Sequence, residues 1–281
     1  MAVEFGLQLY SVREELQKDF VGTLEKVASI GYKNVELFFH DANLEANVGN
    51  MSASELKGEL DRLGLKAVSA HVALDFLEEK HAQAVVNFAK EVGITSLGIA
   101  IAFFTSKEEV LTLAKKMNEA GTFFKENGLQ LYYHNHFQEF QEIDGKYILD
   151  IILENTDEEI VKVELDTYWA LRGGVDPIEY MKKLGSRCDL LHQKDLPASV
   201  ETVNLFDVVG HDATIDMDKM VELHQIDDFT EAGQGVMDIP AIVQAFKEKP
   251  EAKYLFIEQD WTRRNQLESV EMSYQYISKY F

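Results

Sequence analysis

A single cysteine, Cys188, is present among the 281 residues, so no disulfide can form within the chain. It lies in an apolar run, which suits a buried structural thiol in a reducing, cytoplasmic setting better than a nucleophile. No run reaches the ~20 apolar residues of a membrane span. The opening MAVEFGLQLYSV carries neither the basic segment nor the long apolar stretch of a secretory leader, so a soluble intracellular protein is expected. Cations are scarce: 27 Lys and Arg stand against 49 Asp and Glu, a formal charge of −22. A field of that sign repels phosphate backbones, which disfavours nucleic acid as a partner, and it attracts divalent cations. The phosphate-binding glycine loops are missing too. No GxGxxG and no GxxxxGK[ST] occurs, and YSVREE follows the first strand-like run.

What is present is a regular alternation. Strand-like runs fall at 5–10, 34–38, 66–72, 95–101, 129–136, 161–166, 188–192 and 253–258. Helical patterns separate them at 20–31, 52–64, 78–93, 107–128, 146–155, 177–185, 239–249 and 266–280, with apolar residues at three- and four-residue spacing. Gly31, Gly64, Gly93, Gly128 and Gly185 end helices, and Pro177 and Pro240 open them. Eight β/α units allow a closed barrel or an open doubly wound sheet. The missing glycine loop selects an α/β (β/α)8 TIM barrel, and the length suits a single such domain of about 250 residues. At 46% hydrophobic residues, the chain can bury a large core. One segment breaks the rhythm. Residues 196–238 are too long for the ~2–6 residues of an ordinary loop and read as an active-site insertion.

Four metal-friendly side chains close four of these runs: His134, Asp166, His192 and Glu258. An imidazole or carboxylate at the carboxyl end of successive strands is how such a barrel builds a metal-centred site. Strand parity sends Gln130, Tyr132, His134 and His136 inward, and likewise Lys162, Glu164 and Asp166, and Tyr254, Phe256 and Glu258. Lys162 and Glu164 are expected to neutralise each other one layer below the mouth. Two nitrogen and two carboxylate donors suit one divalent ion, Mn, Co, Zn or Fe.

At these residues the chain resembles the xylose-isomerase-like barrel family of sugar isomerases and epimerases, which also includes inosose dehydratase, 3-dehydroshikimate dehydratase and endonuclease IV. The segments that carry the resemblance are GLQLYSVR (6–13), NVELF (34–38), SAH (69–71), YHNHFQEF (133–140), ELDTYWALRGGVDP (164–177), LLHQKD (190–195), EAGQGVMDIP (231–240) and IEQDW (257–261). It implies a metal held by His134, Asp166, His192 and Glu258, and a small-molecule sugar or polyol substrate. It also implies a departure: many epimerases of the family carry glutamate where His134 stands and use two opposed glutamates.

The expected reaction is α-proton transfer on a ketose or related keto-sugar through a metal-stabilised enediolate. Glu258 is the first acid/base, and His136, Glu139 or Lys194 is the second. The alternative for Lys194 is a surface salt bridge with Asp195. His71, Trp169, Glu36 and Arg13 are candidate substrate contacts, Trp169 offering a flat face to a sugar. His40, His81, His211 and His224 read as surface or loop residues. An isomerase or epimerase comes first and a dehydratase or lyase second, the latter favoured by His134. A non-catalytic sugar-binding barrel and a DNA-repair nuclease follow, and a homo-oligomer is compatible with all of these.

Overall fold

Each apolar run pairs in parallel with the next along the chain, and the first closes on the last. The computed structural model describes residues 2–281. Its barrel strands are β1 (Glu4–Gln8), β2 (Asn34–Phe39), β3 (Lys66–Val72), β4 (Ser96–Ile99), β5 (Gln130–His134), β6 (Val161–Asp166), β7 (Cys188–Gln193) and β8 (Tyr254–Ile257). They form one closed barrel in sequence order, with β1 sealed against β8 through Leu7 and Ile257. The fold is a single-domain TIM barrel. Among the described residues no helix is long and apolar enough to cross a membrane.

The helices end where local chemistry stops them. Ser52 and Glu55 form a capping box at the start of helix Ala53–Leu63, and Gly64 ends it at φ +68. Asp176 caps Pro177–Leu184 with Pro177 in the first turn. The helix expected from 146 begins at Ile148, because Lys146 and Tyr147 pair back onto Glu142 and Ile143 as a short hairpin.

Strand parity divides the core. Outward residues such as Leu131, Val163, Leu191 and Leu255 meet the helices in the main apolar cluster. Inside the barrel, Val68, Tyr132, Leu190 and Phe256 form a small separate plug. Gly6 makes room for it, since a Cβ there would lie 2.9 Å from the Phe256 ring. Lys162 and Glu164 do not pair. The register shifts between Val163 and Glu164 opposite β7, and Asp189 is buried there. Asp189 takes Lys162 at 2.6 Å and Lys253 at 2.9 Å, which leaves Glu164 for the layer above.

Residues 196–238 contain helices Phe206–Val209 and Met217–Leu223. Both ends of the segment are anchored by Asp195, whose carboxylate accepts backbone N–H groups from Leu196, Gly233 and Gly235 at 2.9 Å and from Met237 at 3.1 Å. A Cβ on Gly235 would sit 2.3 Å from Asp195 Oδ1, so this approach requires glycine.

Candidate metal centre

Above the plug, the inward positions become polar and nearly every one is buried. Glu36, His71, Glu164 and His192 make one layer; His134, Asp166, Lys194 and Glu258 lie at the strand ends. His192 belongs to both of the four-residue donor sets, Glu36/His71/Glu164/His192 and His134/Asp166/His192/Glu258. Within each set one ligand atom per residue lies within 4.8 Å of the others.

The hydrogen bonds orient these donors. His192 Nε2 meets Glu36 Oε2 at 2.6 Å, and Nδ1 meets Glu258 Oε2 at 2.8 Å. Glu36 is fixed in turn by Gln8 Nε2 at 2.7 Å. A carboxylate behind one ring nitrogen is the arrangement that presents the other nitrogen to a metal. His134 follows the same logic. Its Nδ1 donates to the Ala100 carbonyl at 3.2 Å, which leaves Nε2 unprotonated. That Nε2 is buried without a hydrogen-bond partner, 3.5 Å from Asp166 Oδ2. A buried lone pair left facing carboxylates fits a metal ligand. Asp166 holds its other oxygen, Oδ1, on the Trp169 N–H at 2.8 Å.

Lys194 occupies the same space. It is 1% exposed, and its ammonium bonds Asp166 Oδ2, Glu258 Oε2 at 2.5 Å and, more distantly, Asp260 at 3.7 Å. The surface pairing with Asp195 is therefore excluded, since Asp195 is committed to the loop. A metal on the four donors would compete with the ammonium for Asp166 Oδ2 and Glu258 Oε2.

The charges follow from these contacts. Burial opposes ionisation of Lys194, but Asp166, Asp260 and Glu258 together outweigh it and hold the pKa well above the lysine range. Burial likewise opposes charge on Glu258, and Lys194 and His192 outweigh it, so this carboxylate stays ionised. Burial, with His134 and Lys194 adding to it, pushes His136 well below the usual imidazole value, so it is neutral at pH 7. For His192, Glu164, Glu258 and Glu36 overcome the burial penalty and raise its pKa strongly.

A cavity of about 330 Å³ opens over this floor at the carboxyl ends of the strands. His71, His134, His136 and Glu258 face it, and Tyr10, Phe38 and Trp261 wall it together with Met217, Met220 and Val221 of helix Met217–Leu223. A wider surface cleft of about 1100 Å³, between Pro197 and Arg264, touches none of the donors.

Several expected substrate contacts lie elsewhere. Trp169 is 1% exposed, its ring packed 5.3 Å from both His136 and His224, so it shows no open face to the cavity. The helical turn that Asp166 caps, Thr167–Arg172, draws it against His224 and Phe229 of the insertion. Glu36 orients His192 from below. Arg13 is stacked behind the wall, 4.1 Å from the Tyr10 ring and 4.7 Å from that of Trp261. Glu139, considered as a base, directs its oxygens to Tyr133 Oη at 2.7 Å and the His136 N–H at 2.8 Å, and so braces the loop. His71 faces the cavity as expected, bonded to Glu164 at 2.8 Å in a space kept open by Gly98.

The sequence reading missed three wall residues. His40 and His224, read as surface, line the cavity, and His224 bonds Asp260 at 3.1 Å. Asp260 shares strand parity with Glu258, a signal that was available; His224 sits in the insertion, where no periodicity points to it.

Residues 24–279 match the family model described as xylose isomerase-like TIM barrel. An inosose dehydratase of Clostridium perfringens is 29% identical over 186 residues, 63% of this chain and 57% of that protein. The chain thus spans little more than half the length of such relatives. A solved sugar phosphate isomerase/epimerase from Parabacteroides distasonis superposes with TM-score 0.73 at 25% identity, over 99% of this chain and 94% of the other. The IolI protein, solved with a bound zinc atom, shares the fold at 16% identity and TM-score 0.69, over 100% of this chain and 99% of the other. With this barrel, these strand-end donors and a match over nearly its whole length, the chain belongs to the xylose isomerase-like TIM barrel family.

Proposed function

We propose that this chain is a metal-dependent isomerase or epimerase that moves a proton on the carbon beside the carbonyl of a ketose or related keto-sugar. The observation that carries the reading is the convergence of His134, Asp166, His192 and Glu258 on one buried point at the cavity floor. Those four residues would hold the ion. A divalent metal there supplies Lewis acidity that favours negative charge on a substrate oxygen. Zinc in the IolI neighbour supports a metal, and the mixed donors leave Mn, Co and Fe equally suited.

The chain's own groups divide the remaining work. Glu258, ionised and facing the cavity, takes the α-proton. Lys194 remains an ammonium and adds fixed positive charge beneath the reacting atoms. His136, neutral on the wall, holds a substrate hydroxyl or returns the proton. The 196–238 segment acts as an active-site insertion, since its Met217, Met220 and His224 roof the cavity.

A dehydratase is the second reading, favoured by the inosose dehydratase relatives and by an imidazole at His134 where a second glutamate would serve an epimerase. It shares the first proton removal and differs in expelling water.

Metal content measured by plasma mass spectrometry on wild type and Asp166→Ala comes first. About one equivalent, lost in the variant, supports the reading; no metal in wild type after reconstitution removes both readings in favour of a binding barrel. Deuterium uptake at the α-carbon across a keto-sugar panel then identifies the substrate. Loss of water by mass separates dehydratase from isomerase.

A further inference from the structure

The cavity has a polar floor and an apolar rim, and the rim has no part in the chemistry proposed above. Tyr10 and Phe38 form one side, their rings edge to face at 5.4 Å. Trp261 continues that side, since it shares the Arg13 guanidinium with Tyr10, and Met217 and Val221 form the other. Trp261 is 38% exposed, Met217 51% and Val221 64%, so apolar surface continues outward from the cavity mouth. Apolar side chains left open around a concave site mark a place for an apolar ligand group.

The charged side chains on the wall point the same way. Those besides the histidines are carboxylates, Glu258 and Asp260, and no Lys or Arg lines the cavity. Lys194 lies beneath the floor, bound to both. Arg13 is not among the lining residues; its guanidinium stacks on the Tyr10 and Trp261 rings and gives Nη1 to the Tyr10 carbonyl at 3.1 Å, while Nη2 is buried without a partner. A phosphate dianion in the cavity would face carboxylates with no Lys or Arg in the lining to pair with it.

We propose that the substrate is an uncharged keto-glycoside, a sugar with an apolar alkyl or aryl substituent on its anomeric oxygen and its carbonyl elsewhere on the ring, rather than a sugar phosphate. Simple glycosides are its unreactive analogues. The sugar ring sits over the histidine and carboxylate floor, and the substituent lies between Tyr10, Phe38 and Trp261 on one course and Met217 and Val221 on the other. This rests on the reading of the floor as a sugar site but not on catalysis, so binding alone can test it.

The probes are the phenyl and methyl glycosides of D-glucose and D-galactose, both anomers, with D-fructose 6-phosphate as the charged comparison. Affinity is read from titration calorimetry and tryptophan fluorescence, with zinc and with EDTA. At least one phenyl glycoside is expected to bind about tenfold or more tightly than its methyl counterpart, the size expected for burying one ring. That ratio should fall towards one in the Met217→Ser/Val221→Ser double variant. Both positions are exposed, and a melting curve matching wild type shows the fold is kept. No phenyl glycoside outbinding its methyl partner, or the sugar phosphate binding most tightly, overturns the proposal. A phenyl preference in a protein that holds no metal would keep this proposal while removing the metal-dependent reaction.

Discussion

Lys194 places its ammonium between Asp166 and Glu258, 2.5 Å from Glu258 Oε2, inside the donor set that a metal would use. Lys194→Met should therefore change two quantities in opposite directions. In EDTA the variant leaves two buried carboxylates without their cation, a loss of about 3–5 kcal/mol. Its affinity for zinc should rise, because nothing competes for Asp166 and Glu258. Melts with and without zinc measure both. Equal stability in EDTA together with unchanged zinc affinity would show that the ammonium and the metal do not share these oxygens.

Glu36 would act on a bound metal through His192. Its Oε2 lies 2.6 Å from Nε2 and would keep the proton there, so that Nδ1, which bonds Glu258 Oε2 at 2.8 Å, is the nitrogen that would give up its proton to a metal. Glu36→Gln should lower metal affinity by about 10–100-fold. Competition with a fluorescent chelator checks this. An unchanged affinity would mean that His192 is oriented by Glu164 alone.

The pH dependence of stability should report Glu139, which burial raises from 4.5 to about 7, against opposing hydrogen bonds from Tyr133 and the His136 N–H. The native pKa of this acid exceeds the unfolded one. Between these values the native state keeps a proton that the unfolded chain has released, so stability falls as pH rises from 4.5 to about 7. Below that window Glu139 contributes no pH dependence, and above it the penalty is complete. Glu139→Gln removes the penalty, keeps an acceptor for the His136 N–H, and replaces the oxygen that accepts from Tyr133 with an amide N–H to which the Tyr133 hydroxyl can turn as acceptor. Relative to wild type, it should gain on the order of 1–3 kcal/mol on going from pH 4.5 to pH 8, measured by urea unfolding. A constant difference across that range would refute the assignment.

Asp195 holds the far end of the insertion through the backbone N–H groups of Gly233, Gly235 and Met237, and its start through that of Leu196. Asp195→Ala leaves those donors without their shared acceptor and should cost at least about 2 kcal/mol. Limited proteolysis should then cut within 231–237 while the barrel survives. Cleavage at wild-type rates would show that the segment is anchored elsewhere.

The sequence by itself determined the barrel and the heights of its four strand-end donors. Period-two alternation in VKVELD and KYLFIE decides which residues face inward, and the last inward residue of a parallel strand reaches the mouth. Asp166, His192 and Glu258, each closing its run, follow from that arithmetic, whereas His134 shares inward parity with His136 and is singled out by the end of β5. Tertiary structure decided which partner each charge would take. The shifted register at Val163 gave Lys162 to Asp189 and freed Glu164 for His71 and His192. It turned Lys194 inward onto Asp166, buried Trp169, set Glu139 behind the loop, and brought His224 from residues 196–238 to Asp260. Those outcomes depend on contacts between segments far apart in the chain, and side-chain periodicity within one strand or helix carries no record of them.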